Sequence, residues 1–255
     1  MRLRQQLLTK NDCYRAGRTI QVKGIMVHST GANNPRAARY VPGDAEIGRN
    51  TAGNHWDRPG QAKCVHAFIG KFADGGVGTV QTLPWDRRGW HAAKGWKGSA
   101  NNTHIGFEIC EDGLSDPDYF RAVYQEAVEL TAMLCRAYRL DPLANGVVIC
   151  HAEGYRRGIA SNHGDVLHWF PRFGRSMDGF RADVERTVRE EEPVSYEQWK
   201  EYMTRYRREL GELPAPAWGQ AELEQAKARG ISDGARPLDL ASRQEVLSMI
   251  VRAGI

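Results

Sequence analysis

A chain of 255 residues, 41% of them apolar and 26% charged, has room for one medium domain with a full core and a small appendage. No stretch reaches the roughly 20 apolar residues of a membrane helix, so membrane insertion is not expected. A net charge of +4 without a basic block or basic helix excludes the usual footprint of nucleic-acid binding.

Residues 192–255 hold 9 basic and 10 acidic side chains, against 26 and 21 in the first 191, so the mild excess of positive charge lies in the front of the chain. That balance suits an anionic polymer. The opening MRLRQQLLTKNDCYRAGR begins with charge but contains neither an apolar run of about 7–15 residues nor a small-residue cleavage site, so synthesis in the cytoplasm without a secretion signal is expected. Cys13, Cys64, Cys110, Cys135 and Cys150 lack paired spacing, which fits a reducing compartment and argues against a disulfide framework.

Residues 18–30 read as a strand, from Val22, Ile25 and Val27, ending on His28-Ser29-Thr30. Residues 31–62, rich in Gly, Asn and Pro, read as a long surface loop bordering a cleft. Short strands are expected over 64–70, 77–83 and 104–110, the first two separated by an Ala-Asp-Gly-Gly turn, all neighbours in one sheet. Residues 117–139 switch to a helical period, with Pro117 at the first helical position and Phe120, Val123, Ala127, Leu130, Leu134 and Ala137 as a core stripe. Residues 147–150 form an apolar run ending on His151, and 176–190 a further amphipathic helix. The first domain is therefore expected over 1–190. Glu190-Glu191-Glu192-Pro193 reads as its boundary, 191–216 as a helical linker with a helix over 195–211, and 217–255 as a small helical module.

All eight histidines fall within residues 28–168. Zinc takes nitrogen, sulfur and carboxylate ligands, and catalytic sites commonly combine three protein ligands with one open position. His28 and His151 each end an apolar run, so adjacent strands can carry both imidazoles to one edge of a sheet. The segment 150–170 adds His163, His168 and Asp165 in a Gly-rich loop. Cys150 and His151 point to opposite faces if both are in a strand, which disfavours a cysteine nucleophile there. No GxSxG elbow supports a serine hydrolase, and no CxxC pair or HExxH helix supports another common zinc class.

His28 in MVHSTG, Trp90-His91-Ala92, the run Asn102 to Glu108 with its Ile105-Gly106 pair, and His151 followed by His163-x-Asp165 together resemble the type-2 N-acetylmuramoyl-L-alanine amidases. This superfamily includes phage lysozyme-like amidases and animal peptidoglycan recognition proteins. The resemblance spans about residues 18–190. It implies an α/β fold with a mixed central sheet flanked by helices, a Zn2+ groove at the sheet edge, and hydrolysis of the amide between N-acetylmuramic acid and L-alanine in peptidoglycan. By position it implies His28, His151 and Asp165 as metal ligands, Glu108 as catalytic base, and Trp90 and His91 as a groove wall and polar contact for the glycopeptide. Trp90 reads equally as a core residue.

Two departures leave alternatives open. The loop from His151 to Asp165 is longer than is common in the family, and His163 stands where many members have lysine. His163 is then an oxyanion donor, or the third ligand with Asp165 behind it. His66 and His104 are either supports behind the ligands or buried, hydrogen-bonded residues. The stretch GISDGARPLDLASRQEVLSMIVR resembles one surface-layer-homology-type unit for cell-wall attachment, the alternative being a plain helical pair. An endolysin or autolysin is expected; a non-catalytic peptidoglycan-binding protein and a zinc peptidase of the stem peptide are the alternatives.

Overall fold

The computed structural model describes residues 1–190 and 195–254. The chain divides into two compact units, Met1–Glu191 and Glu192–Ile255. Of the expected boundary only Glu190 is described; Glu191, Glu192 and Pro193 lie outside the described residues.

The first unit runs in order β1 (Leu3–Gln5), α1 (Asp12–Arg15), β2 (Gly24–Ser29), β3 (Ala67–Lys71), β4 (Val77–Gln81), β5 (His104–Ile109), α2 (Pro117–Tyr138), β6 (Val148–Cys150), α3 (His151–Arg156) and α4 (Met177–Glu190). Six strands form one mixed sheet in the order β1-β4-β3-β5-β2-β6, in which only β3 and β4 pair antiparallel. The turn at 72–76 allows that hairpin, whereas the parallel pairs need crossovers. Neither β1 nor α1 is legible in the sequence. Leu-Arg-Gln at an exposed sheet edge carries no apolar alternation, and a four-residue helix is too short for a period. The strand read over 18–30 is confined to Gly24–Ser29, with Thr19 making only an isolated bridge to Arg87.

Period-two alternation separates the sheet's faces. Ile25 and Val27, Ala67 and Ile69, and Ile105, Phe107 and Ile109 point into the core under α2 and α4. Pro117 opens α2 and Asp116 caps it, accepting from the backbone N–H groups of Asp118 and Tyr119. Phe120, Val123, Ala127, Leu130 and Leu134 are buried as the stripe predicts, but Ala137 is exposed. The four-residue step from Leu134 lands on Tyr138, which packs against the core instead. The alternate residues, among them His28, His66, Phe68, His104, Gly106 and Glu108, occupy the opposite face. Loops cover that face, and all the candidate chemistry lies there.

His66 on this face is fully buried. It donates from Nε2 to the Arg87 carbonyl at 2.6 Å, and its Nδ1 accepts from the Gly106 N–H at 3.0 Å. Burial pushes its pKa down to about 4, against the opposing pull of the Arg87 and Gly106 carbonyls. Between that value and about 6.5 only the unfolded chain takes the proton, so this residue's contribution is complete above pH 6.5 and is lost as pH falls toward 4. The loss is roughly 3 kcal/mol. Urea midpoints at pH 7 and pH 4.5 test this: His66→Gln is expected to show a smaller acid-induced drop than the native chain.

The second unit contains α5 (Tyr196–Glu212), α6 (Gln220–Ala228) and α7 (Arg243–Ala253). Arg207 of α5 grips Asp239 with two bonds, Nε to Oδ1 at 2.9 Å and Nη2 to Oδ2 at 3.1 Å. From Tyr196 onward the expected linker is thus a helix tied to the module. None of this unit's described residues is buried. Among the described residues no helix is long and apolar enough to cross a membrane.

Candidate metal and hydrolytic site

β2 and β6 run parallel with Val27 opposite Cys150, so His28 and His151 leave neighbouring strands at the same, carboxyl-terminal edge. His151 is the first residue of α3 rather than the last of the strand. Cys150 is buried in the core, where burial raises its thiol to about 11, so it supplies no thiolate.

Asp165 arrives from the loop that follows α3 and begins a short 3-10 turn, Asp165–His168. Its φ of 46° is left-handed, a conformation that Asp tolerates better than most residues and that recurs at functional sites. Its Oδ2 lies 2.9 Å from His28 Nδ1 and 3.1 Å from His151 Nδ1, and the two nitrogens are 3.2 Å apart. Ligands about 2.0–2.1 Å from a tetrahedral ion stand about 3.3 Å from one another. The three donor atoms therefore have the spacing of one face of such a shell, and their chemistry suits a divalent cation. His163 makes no contact with Asp165 or His28 of this kind; its Nδ1 meets Ser161 Oγ at 3.0 Å.

The far sides of both imidazoles are occupied. His28 Nε2 is 2.9 Å from His91 Nδ1, and His91 Nε2 is 3.2 Å from the His104 carbonyl, which can only accept. His91 therefore carries its proton on Nε2 and accepts at Nδ1 from His28, leaving the His28 Nδ1 lone pair aimed at the site. Burial lowers the pKa of His28 despite Asp165 beside it, and lowers that of His91 strongly, so both rings stay neutral. In this arrangement both nitrogens of His91 are engaged within the protein, while its ring is among the groups that line the cleft. His104, likewise, is bonded through Nε2 to the Gly146 carbonyl.

Two residues to which the sequence alone assigned no role hold this loop. Asn101, buried in a 3-10 turn at Ala100–Asn102, accepts from the N–H groups of His91 and Ala92 and donates to the Ala93 carbonyl. Its neighbour Asn102, the one matching the family pattern, faces solvent and accepts from Arg88. Gly106 is the second: a Cβ there would lie 2.4 Å from His91 Nδ1. Gly106→Ala should cost about 1–3 kcal/mol by overpacking and displace the ring behind His28, measurable as a lower denaturant midpoint.

Glu108 stands beside His28 in the β2·β5 register, on the same face. Burial, reinforced by the nearby charges of Asp165 and Glu111, lifts its carboxyl well above the ordinary range, and Oε2 is buried without a hydrogen-bond partner. Glu111 behind it accepts from the Gly31 N–H and pairs with His168 at 3.1 Å, giving that histidine a structural place. Around these groups lies a cleft of about 350 Å³, lined by His28, Glu108, His151, His163 and Asp165. Trp90, 38% exposed, forms part of its wall rather than the core, and the loop 31–62 contributes Tyr40 and Trp56. Tyr40 stacks on Phe68 at 4.6 Å, anchoring that wall to β3.

The pattern of one known family, described as N-acetylmuramoyl-L-alanine amidase, matches residues 18–166. Among solved structures the chain is similar to PlyL, at 21% identity over 72% of this chain and 98% of that one, with a TM-score of 0.51. It is also similar to the catalytic domain of XlyA, at 22% identity over 72% and 99% with a TM-score of 0.49. A further match is the Staphylococcus aureus hydrolase AmiA in complex with its ligand, at 21% identity over 73% and 82% with a TM-score of 0.48. The likeness to PlyL supports the mixed-sheet fold. No curated protein matches the chain in sequence.

Proposed function

Because this chain belongs to the N-acetylmuramoyl-L-alanine amidase family of peptidoglycan hydrolases, we propose that it cleaves the muramoyl–alanine amide with a zinc ion held by His28, His151 and Asp165. The carrying observation is the convergence of those three donor atoms, from separate segments of chain, at 2.9–3.2 Å beside the unpartnered carboxylate oxygen of Glu108. When bound, zinc supplies Lewis acidity, polarising the amide carbonyl and lowering the pKa of water at the site.

The protein's own groups do the rest. Glu108 Oε2 takes a proton from the attacking water and returns it to the amine nitrogen as the C–N bond breaks, leaving a lactyl carboxylate and a free L-alanine amino terminus. A carboxyl raised by burial is a better proton acceptor than an ordinary one, which suits this exchange. His163 donates a hydrogen bond to the oxyanion that forms on the carbonyl. Tyr40, Trp56 and Trp90 offer apolar walls to the sugar faces. The second unit, with its resemblance to a surface-layer-homology unit, serves cell-wall attachment, as an endolysin or autolysin requires.

Incubation with purified cell walls tests the reaction. New L-alanine amino termini without new reducing sugar ends are expected, lost with a chelator and restored by zinc. Internal peptide ends would identify a peptidase instead, and binding without products a recognition protein.

A further inference from the structure

We infer that Ser161 is a positioning residue that sets the tautomers of His151 and His163 together, an inference that rests on the proposed roles of those two histidines. His151 turns Nδ1 toward His28 and Asp165. Ligation through that atom requires its lone pair, so the ring proton sits on Nε2, which is 3.1 Å from Ser161 Oγ. Ser161 Oγ accepts this proton. A serine hydroxyl has one hydrogen of its own to donate, and its remaining neighbour is His163 Nδ1 at 3.0 Å. His163 Nδ1 is thereby an acceptor, and the single proton of the neutral ring is forced to Nε2, the end away from Ser161.

The consequence is chemical. A neutral His163 presents an N–H donor, and needs no charge to fill the place that a lysine ammonium occupies in many family members. The same hydroxyl performs for His151 what His91 performs for His28: each ligand imidazole has its outer nitrogen spoken for, which orients the ring and keeps the inner lone pair on the metal position. Ser161 is itself held in place, because its N–H donates to the Ala92 carbonyl at 3.0 Å, and the Ala92 N–H donates to Asn101 at 2.9 Å. The loop carrying Trp90 and His91 and the loop carrying His163 and Asp165 are thus coupled through one serine. His163 shows its ring to the cleft and lies 4.8 Å from the His151 ring, centroid to centroid.

The experiment compares the full-length zinc-loaded protein with Ser161→Ala and with Ser161→Thr, which keeps the hydroxyl. Three readouts are taken: ring carbon and nitrogen chemical shifts of His163, zinc affinity by chelator competition, and kcat and KM on a muropeptide. The native chain is expected to show one His163 tautomer, protonated at Nε2. Ser161→Ala is expected to show a mixture, a zinc affinity lower by about 10–100-fold, and a reduced kcat with KM nearly unchanged. Ser161→Thr is expected to restore all three toward native. An unaltered His163 tautomer and zinc affinity in Ser161→Ala would overturn the inference, as would a threonine variant no better than alanine. A changed tautomer and zinc affinity with an unchanged kcat supports the relay and removes instead the oxyanion role of His163.

Discussion

Glu108→Gln is expected to lower kcat by about 10²–10⁴-fold while zinc stoichiometry and fold are retained. Glutamine fills the same volume and can stay at the same register position beside His28, but it cannot take a proton from water or return one to the amine. The native carboxyl is held in an unfavourable place: it is buried, Oε2 is without a partner, and Asp165 and Glu111 crowd it with like charge. Neutralising it relieves that repulsion, so the thermal midpoint should stay level or rise as activity falls, the trade expected at a destabilised active-site group. Kinetics on a muropeptide, elemental zinc analysis and a melting curve check the three parts. Native-like kcat in this variant would remove Glu108 as the base.

The second large effect separates the two residues between which the sequence left the third ligand open. Asp165→Ala is expected to lose bound zinc and with it all measurable hydrolysis, because it removes one of three donors and leaves two imidazole nitrogens 3.2 Å apart with no anion between them. His163→Ala is expected to keep full zinc stoichiometry and lose about 10²–10³-fold in kcat, the usual cost of one oxyanion donor. The geometry favours this order: Asp165 Oδ2 touches both Nδ1 atoms, whereas His163 is bonded to Ser161. Zinc retained in Asp165→Ala and lost in His163→Ala would reverse the assignment.

His28 and His151 could be paired from the sequence because both end apolar runs, and parallel neighbours bring such ends to one edge whatever their separation along the chain. Glu108 was visible through the family resemblance, and the alternation of Ile105, Phe107 and Ile109 beside it places it on the opposite face of β5. The roles of Ser161 and Asn101 and the contact of His91 with His28 were not visible. Each acts through a hydrogen bond to a residue distant in sequence or across an irregular turn, and such turns have no period to read.

The sequence by itself determined the alternation of strands and the long helix, the confinement of every histidine to the first unit, and the family resemblance that names the bond to be cut. These are local or pattern properties, set by side-chain period and residue type. The tertiary structure alone decided that the Asp165 carboxylate, not the His163 ring, closes on the two imidazoles, that Trp90 is a cleft wall, and that His91 serves His28. Those outcomes depend on where irregular loops cross the open face of the sheet, and a loop's path is set by the sum of its hydrogen bonds rather than by any repeating feature of its residues.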